Sequence, residues 1–404
     1  MRFLFYSHDG LGLGHTRRNL AVAAALTELE PQAAVLIATG VQPITYLGVP
    51  RNVGILKLPG IQKLDNEAYA GRDLPISLTD HLVVRSAVLR AAVESFRPDV
   101  LLADKHPFGV GDELVPALEV VRGSGGRTVL GLRDILDDRE TVLEEWGRRN
   151  FPNRVPMYFD RVLVYGERSI FDPIDEYEFP PLLADKTFFC GYVLNRTRRE
   201  WRATDALPEL PFDRPTVLAT AGGGKDGVQL LRCFLNAASG AGWNAIVVSG
   251  PETSERDRKA LGAHAREAGA MFRSFQPGLS EWFERVDALV SMGGYNTIVE
   301  ALATGTPTVC VPRVVPRFEQ LLRARTFERL GLLQVLEPDR LHPLGLRREI
   351  EAALSCSRKD LKQRARAAVD FDGAHSAARH LIRLAARTNA TVGRRAASIV
   401  PGVA

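Results

Sequence analysis

Short apolar runs alternate with longer segments of helical period along most of this chain. A strand covered on both faces is continuously apolar, whereas a helix on a sheet is apolar at positions i, i+3 and i+4. The apolar runs predict strands at residues 3–7, 34–38, 54–58, 100–103, 128–132, 161–164, 187–190, 216–220, 245–249, 271–275, 288–291, 308–311 and 333–336. The helical period predicts helices at residues 15–30, 79–96, 112–122, 227–241, 254–268, 279–286, 295–304, 317–330, 346–354 and 360–369. This alternation predicts an α/β fold built of βαβ units with parallel sheets.

The chain has 404 residues, enough for two domains, and one segment interrupts the α/β pattern. Residues 197–202 are mostly charged, Pro208 and Pro211 follow, and a new strand is predicted from Thr216. We therefore predict a first domain at 1–195, a linker at 196–214 and a second domain at 215–388, whose last helix could pack back on the first domain. Residues 389–404 are rich in small and polar residues, and we expect a poorly ordered tail there.

Three glycine-rich turns each follow a predicted strand and precede a predicted helix. The first runs from Ser7 to His15, the second contains Gly222, Gly223 and Gly224, and the third contains Gly293 and Gly294. A helix that begins on such a turn directs unpaired N–H groups and its positive dipole end towards an anion such as phosphate. The second turn is not a Walker loop, and the first is spaced GxGxG rather than GxGxxG. Because turns of this kind occur in both halves, we predict a site between two domains.

The third turn offers several groups to a nucleotide. Gly293 and Gly294 would let the backbone approach an anion closely, and Asn296 and Thr297 would add side-chain donors. Glu300, about one helical turn further on, could accept two hydrogen bonds from a ribose diol. A carboxylate near a helix N-terminus can also act only on the helix dipole, and the second turn could be a plain surface turn.

His15 is the candidate general base. It would begin the first helix, where the dipole disfavours the protonated imidazole. Asp104, at the end of a predicted strand, is the best candidate for a carboxylate that orients the ring. A packing or capping role remains the alternative for both residues, and His106, restrained by Pro107, is a rival base.

Composition argues against several classes of protein. The formal net charge is only +4, and no basic block interleaved with aromatic residues predicts binding to nucleic acid. The four cysteines are widely spaced without a CxxC pair, which fits a reducing compartment. We find neither a signal-peptide pattern nor an apolar stretch of membrane-spanning length, so we expect a cytoplasmic protein without a transmembrane segment.

No sequence pattern predicts a metal site. Asp134, Asp137 and Asp138 form a carboxylate group that could hold Mg²⁺, but a solvated helix start is the favoured interpretation. HExxH and the His/Cys spacings of zinc sites are absent. We therefore predict no metal and no cofactor.

Several of these motifs together resemble the GT-B nucleotide-sugar glycosyltransferases, and among them the MurG branch of glycosyltransferase family 28. The motifs are Gly12-Leu13-Gly14-His15, the turn at Gly222, Gly223 and Gly224, the run Phe272-Arg273-Ser274-Phe275, the block from Gly293 to Pro307, Val311-Pro312 and Glu319-Gln320. The resemblance spans essentially both predicted domains. It implies two Rossmann-like domains whose parallel sheets face each other across a central cleft.

The resemblance also implies roles for individual residues. Glu300 would hold the donor ribose, and Phe275 would read a uracil edge through its backbone. Glu319 and Gln320 would lie near the donor sugar. The diphosphate would face Gly222, Gly223, Gly224, Gly293, Gly294, Asn296 and Thr297. Gly12, Gly14 and His15 would lie on the acceptor side.

One motif departs from the MurG pattern. The first loop of MurG-type chains reads Gly-Gly-Thr-Gly-Gly-His, whereas this chain reads Gly10-Leu11-Gly12-Leu13-Gly14-His15. The first domain is also longer. We therefore do not carry over the peptidoglycan lipid as the acceptor.

The leading hypothesis is an inverting, metal-independent glycosyltransferase. It would move a sugar from a nucleotide-sugar donor, with UDP or dTDP as the nucleotide by analogy, to a small-molecule or lipid-linked acceptor. The alternatives are a non-hydrolysing UDP-sugar epimerase of the same fold and a catalytically inert sugar-nucleotide-binding partner of another transferase. The sequence does not reveal the oligomeric state.

Overall fold

The computed structural model describes residues 1–7, 14–41, 48–65, 68–195, 213–223 and 226–397, with the backbone alone for residues 63–65, 68 and 388–397. The chain divides into two compact units. Unit 1 comprises Met1–Asp134, Arg139–Arg196 and the chain from Asp372 onwards, and unit 2 comprises Ile135–Asp138 and Thr197–Phe371. Most of the segment predicted as the linker, residues 196–212, lies outside the described residues.

Unit 1 is built on a parallel sheet of seven strands. The strands of the unit are β1 (Arg2–Ser7), β2 (Ala34–Thr39), β3 (Val53–Lys57), β4 (Ile61–Asp65), β5 (Ala68–Gly71), β6 (Val100–Asp104), β7 (Arg127–Arg133), β8 (Arg161–Tyr165) and β9 (Thr187–Phe189). The sheet has the order β3-β2-β1-β6-β7-β8-β9, and β4 and β5 form a separate antiparallel pair. Register in the sheet pairs Ser7 with Asp104, so the last residues of β1 and β6 lie side by side.

The described helices of unit 1 cover the sheet and its loops. They are α1 (Gly14–Leu29), α2 (Leu78–Phe96), α3 (Val115–Gly123), α4 (Arg139–Arg148), α5 (Phe151–Tyr158), α6 (Pro173–Glu176), α7 (Pro181–Ala184) and, at the end of the chain, α14 (Gly373–Ala397). Helix α14 packs against α1. It extends into the segment predicted as a tail, whose residues 398–404 lie outside the described part of the chain.

Unit 2 contains a second parallel sheet, of six strands. Its strands are β10 (Thr216–Thr220), β11 (Asn244–Val248), β12 (Met271–Arg273), β13 (Ala288–Ser291), β14 (Thr308–Cys310) and β15 (Gln334–Val335), in the order β12-β11-β10-β13-β14-β15. Its described α-helices are α8 (Val228–Ala238), α9 (Glu255–Glu267), α10 (Tyr295–Thr304), α11 (Glu319–Arg329), α12 (Pro343–Leu354) and α13 (Arg358–Ala368). Two short 3₁₀ helices lie at Leu279–Trp282 and Pro338–Arg340.

The second sheet is buried on both faces, which explains its continuous apolar runs. Val217 and Ala219 pack on one face with α8 and α12, whereas Leu218 packs on the other face with Trp282 and Phe283. Successive strand residues point to opposite faces, so a strand between two apolar layers has no polar alternation. Continuous apolar runs therefore predicted these strands correctly because the sheet has an apolar layer on each face.

Some elements differ from the sequence-based expectation. The hairpin of β4 and β5 was not predicted, and neither were α4 and α5. Helix α3 begins at Val115 rather than at residue 112, because Asp112 has a φ of 62° and a left-handed residue cannot lie inside a right-handed helix. The predicted helix at 279–286 is only the 3₁₀ turn at Leu279–Trp282. Strand β12 ends at Arg273, so Phe275 lies in the loop that follows it.

Candidate functional site

Each parallel sheet has a switch point, where the strand order changes direction across the sheet. In unit 1, β1 lies between β2 and β6, and in unit 2, β10 lies between β11 and β13. Open parallel sheets bind ligands beyond the carboxyl ends of the strands at such switch points. In unit 1, His15 follows β1 in sequence and Asp104 ends β6, and the glycine turns of unit 2 follow β10 and β13.

In unit 1 the structure brings His15 and Asp104 together. His15 is the second residue of α1, and Asp104 is the last residue of β6. Nδ1 of His15 lies 3.0 Å from Oδ2 of Asp104. The carboxylate is 0% exposed, whereas the imidazole is 16% exposed. Gly14 begins α1, and Gly12 lies outside the described residues.

Arg18 completes this cluster and was not predicted. Its Nη2 lies 2.6 Å and 2.7 Å from the two oxygens of Asp104 and 2.8 Å from Nδ1 of His15. The guanidinium also lies 5.1 Å from the centre of the Tyr165 ring, and the side chain is only 2% exposed. Residues three apart on a helix share a face, so the spacing of His15 and Arg18 was the available sequence signal.

The electrostatics of the cluster keep Asp104 ionised. Burial alone would raise the pKa of the Asp104 carboxyl, but Arg18 and His15 beside it lower that pKa to about 2. Nδ1 of His15 thus faces an acceptor, the Asp104 carboxylate at 3.0 Å, and a donor, the Arg18 guanidinium at 2.8 Å.

In unit 2 the Gly293–Gly294 turn opens α10. Gly293 has a φ of 83°, a conformation that favours glycine, and a Cβ there would lie 3.0 Å from Sγ of Cys310. Gly294 is the N-cap residue, and its position supplies no side-chain hydrogen bond to the helix. Asn296 and Thr297 in the first turn are half-buried. The turn thus leaves the N-terminus of α10 without a side-chain cap.

Glu300 lies deeper than its predicted role suggested. It is the sixth residue of α10 and is only 3% exposed. Its backbone carbonyl accepts a hydrogen bond from the Thr304 hydroxyl at 3.0 Å. Because it lies beyond the first turn, its charge acts only weakly on the helix dipole.

The other glycine turn of unit 2 lies against the loop that follows β11. Gly222 has a φ of 63°, and the Gly223 carbonyl accepts a hydrogen bond from the N–H of Glu252 at 2.8 Å. Gly250, with a φ of 102°, lies so close that its Cβ would be 2.4 Å from the Gly222 oxygen. Gly250 is therefore a second glycine that the loop contact requires. Gly224 and Lys225 lie outside the described residues.

Arg313 links the Glu319–Gln320 pair to the turn that follows β10. Its guanidinium donates to Asp226 at 2.9 Å and to Glu319 at 3.1 Å. The backbone N–H of Arg313 donates to Oε1 of the Gln320 side chain at 3.2 Å. Asp226 follows the Gly222 turn in sequence. Arg313, which was not predicted, therefore connects the two residues that the resemblance assigned to the sugar with Asp226.

Two of the three aspartates near residue 136 are buried, so the expectation of a solvated helix start was wrong for Asp134 and Asp137; Asp138 is half-buried and directly precedes α4. Asp134 is 0% exposed and accepts from the Tyr192 hydroxyl at 2.5 Å. Asp137 is 1% exposed and accepts from Arg317 at 2.9 Å and from the Phe318 N–H at 2.8 Å. Asp137 thus supports the start of α11. Among the described residues, no group of three or more His, Cys, Asp or Glu residues is arranged to hold a metal ion.

The remaining predicted residue, Phe275, is half-buried two positions after β12. The adjacent Ser274 carbonyl accepts hydrogen bonds from Gly250 and Ser249 at 2.9 and 3.1 Å.

In the part of the chain that the structure describes, no helix combines the length and the apolar character needed to span a membrane.

Comparison with known proteins agrees with this architecture. Residues 232–382 match the glycosyltransferase family 28 C-terminal domain. A Nocardioides UDP-N-acetylglucosamine–N-acetylmuramyl-(pentapeptide) pyrophosphoryl-undecaprenol N-acetylglucosamine transferase is 26% identical over 77% of this chain and 78% of its own length. MurG from Acinetobacter baumannii superimposes with a TM-score of 0.57 at 13% identity, covering 95% of this chain and 99% of that one. A UDP-glucose: anthocyanidin 3-O-glucosyltransferase solved with UDP gives a TM-score of 0.64 at 13% identity, over 96% of this chain and 99% of that one.

This chain is a glycosyltransferase of the GT-B fold, similar to the MurG branch of family 28. The predicted α/β architecture with two parallel sheets is confirmed, as is the family resemblance. The glycosyltransferase uses a nucleotide-sugar donor and an acceptor. The matched family domain lies within unit 2 except for its last residues, which belong to α14.

Proposed function

We propose that this glycosyltransferase moves a sugar from a UDP- or dTDP-sugar to an acceptor hydroxyl with inversion and without a metal ion. The pairing of His15 with Asp104 at the switch point of unit 1 carries the proposal. A nucleotide-binding fold accounts for donor binding, but transfer to a hydroxyl also needs a group that accepts the hydroxyl proton.

His15 would act as the general base. Asp104 orients the ring through Nδ1, and Nε2 would take the proton as the acceptor oxygen attacks the anomeric carbon. The C–O bond to the diphosphate breaks in the same displacement, and the nucleoside diphosphate leaves with the bonding electrons. A single displacement of this kind inverts the anomeric configuration.

The donor would bind in unit 2. The open N-terminus of α10 and the Gly222–Gly223 turn would face the diphosphate. Glu300 would accept hydrogen bonds from the ribose, the Phe275 backbone would read the base, and Glu319 and Gln320 would bind the sugar. The N–H groups at the start of α10 would thereby act on the diphosphate charge without a metal ion.

A uracil or thymine base is supported by the structural neighbour that was solved with UDP. The Nocardioides relative is named for a lipid-linked acceptor. We do not propose that acceptor here, because the loop from Gly10 to His15 departs from the MurG pattern. The acceptor class that we propose is a hydroxyl on a small molecule or on another lipid-linked molecule.

The deciding experiment is incubation of the purified protein with a panel of sugar nucleotides, with and without a crude acceptor extract. Transfer to acceptor, or slow donor hydrolysis without it, supports the proposal, and NMR of the product gives the anomeric configuration. An isomerised donor would instead identify an epimerase. Binding without turnover under all conditions would identify an inert binding partner.

A further inference from the structure

Arg323 of α11 is buried directly behind the glycine turn that opens α10. Its side chain is 0% exposed. Nη1 donates to the Gly293 carbonyl at 3.2 Å, and Nη2 donates to the Ile135 carbonyl at 3.2 Å. The guanidinium also lies 5.7 Å from the ring centre of Tyr295, which is the first residue of α10. The side chain therefore touches the turn at its first glycine and at its first helical residue.

The hydrogen bond to Gly293 fixes the direction of one peptide. The C=O and the N–H of a trans peptide point to opposite sides. Since the Gly293 carbonyl faces Arg323, the N–H of Gly294 faces away from it, on the open side of the turn. Within the described residues, that N–H makes no hydrogen bond. Arg323 thus holds a donor in the orientation that an anion in front of α10 requires.

The charge of Arg323 is not balanced within the described part of the chain. No carboxylate oxygen there lies within 4.0 Å of the guanidinium, and its Nε has no hydrogen-bond partner. Two carbonyl dipoles and an aromatic face compensate a buried cation only in part, and burial of an unpaired charge is costly. A di-anionic group in front of the Gly293–Gly294 turn would supply the missing negative charge.

We infer that Arg323 is a positioning residue for the donor diphosphate. It orients the Gly294 N–H towards the phosphates, and its charge acts on them through the Gly293 peptide. This inference rests on the proposed donor site in unit 2. It assigns to Arg323 a role in diphosphate recognition and none in binding the nucleoside.

The test compares ligands with and without the diphosphate. Arg323→Met keeps the length and the apolar stem but removes the charge and the donors. We expect its affinity for UDP and for inorganic pyrophosphate to fall about 10- to 100-fold, on the scale of one charge-assisted hydrogen bond, with uridine affinity unchanged. Arg323→Lys retains the charge and should recover part of the UDP affinity. Calorimetry would measure UDP and pyrophosphate, and ligand-observed NMR would measure uridine.

Arg358 provides a matched control at the other end of α10. It too binds backbone carbonyls, donating to Phe283 at 3.0 Å and to Thr304 at 3.4 Å. Arg358→Met should lower stability but leave the ratio of UDP to uridine affinity as in the wild type.

Gly293→Ala is a second perturbation of the peptide that Arg323 holds, because its Cβ would lie 3.0 Å from Cys310 Sγ and 3.3 Å from the Gln320 backbone oxygen. It should show the same selective loss of UDP, and if Arg323→Met does not fold, Arg323→Lys takes its place, with a smaller loss of UDP affinity and unchanged uridine affinity expected.

Wild-type affinity for UDP in Arg323→Met would overturn the inference, as would an equal loss of UDP and uridine. Both results would leave the proposed function intact. If the wild-type protein bound neither UDP, dTDP nor pyrophosphate, the proposed donor site itself would fail, and the role of Arg323 with it.

Discussion

Replacement of Asp104 by asparagine tests the buried ion pair that organises the cluster in unit 1. The carboxylate is 0% exposed, with Arg18 at 2.6 Å and His15 at 3.0 Å. Its pKa is about 2 instead of 3.8. One pKa unit corresponds to about 1.4 kcal/mol, so the ionised form adds about 2 kcal/mol to the free energy of unfolding at neutral pH.

The sign of this contribution sets its pH dependence. Because the pKa is lower in the folded state, the stabilisation is complete above about pH 5 and is lost as the pH falls towards 2. Asp104→Asn also leaves Arg18 buried without its charged partner, and breaking a buried pair in this way costs about 3–5 kcal/mol. We therefore expect a loss of about 2–5 kcal/mol at pH 7 that becomes smaller between pH 5 and pH 3.

Urea denaturation between pH 3 and pH 8 would measure the effect. The double variant Asp104→Asn/Arg18→Met should regain part of the lost stability, because it removes the stranded charge. Asp73→Asn is a matched control. Its pKa is also lowered to about 2, where Lys57 and Arg72 outweigh the effect of burial. Asp73 is 21% exposed and its partner Lys57 is 34% exposed. Solvent screening should therefore make the loss of stability in Asp73→Asn smaller than that in Asp104→Asn. Wild-type stability of Asp104→Asn at pH 7, or a loss that stays constant down to pH 3, would refute this reasoning.

Three further predictions concern turnover and donor binding. His15→Ala should lower kcat by about 10²–10⁴-fold with little change in UDP affinity, and Asp104→Asn should lower it less; near-wild-type kcat would leave His15 a structural residue. Glu300→Ala should weaken UDP binding by about 1.5–3 kcal/mol in calorimetry, and unchanged affinity would place the ribose elsewhere. EDTA should leave turnover largely intact, whereas complete loss reversed by Mg²⁺ or Mn²⁺ would contradict the metal-independent mechanism.

The fold and the outline of the site could be predicted because both depend on local sequence. The apolar runs marked the strands, and glycine followed by a helical period marked the turns. The contact between His15 and Asp104 followed from topology, since strand ends in a parallel sheet meet at one edge and the register sets Asp104 beside Ser7.

Other features depend on contacts between distant segments and had no local signal. Arg313 reaches Asp226 across 87 positions of sequence, and Asp137 accepts from Arg317 across 180. Asp134 and Asp137 were interpreted as solvated because their partners, such as Tyr192 for Asp134, are distant in sequence. The hairpin of β4 and β5 was missed because two short strands with mixed polarity lack the continuous apolar run of the buried sheet.

The buried arginines fall into two kinds: those whose charge is balanced by a carboxylate of the chain, and one whose charge a ligand would balance. Arg85 is 0% exposed, and Glu113 lies 3.5 Å away, so unit 1 balances that cation internally. Arg18 is balanced by Asp104, within the cluster that contains His15. Arg323 has no such carboxylate among the described residues, yet it lies behind the turn that the fold offers to an anion. Since a folded chain rarely buries a cation without compensation, the imbalance at Arg323 argues that unit 2 is built to bind a negatively charged donor.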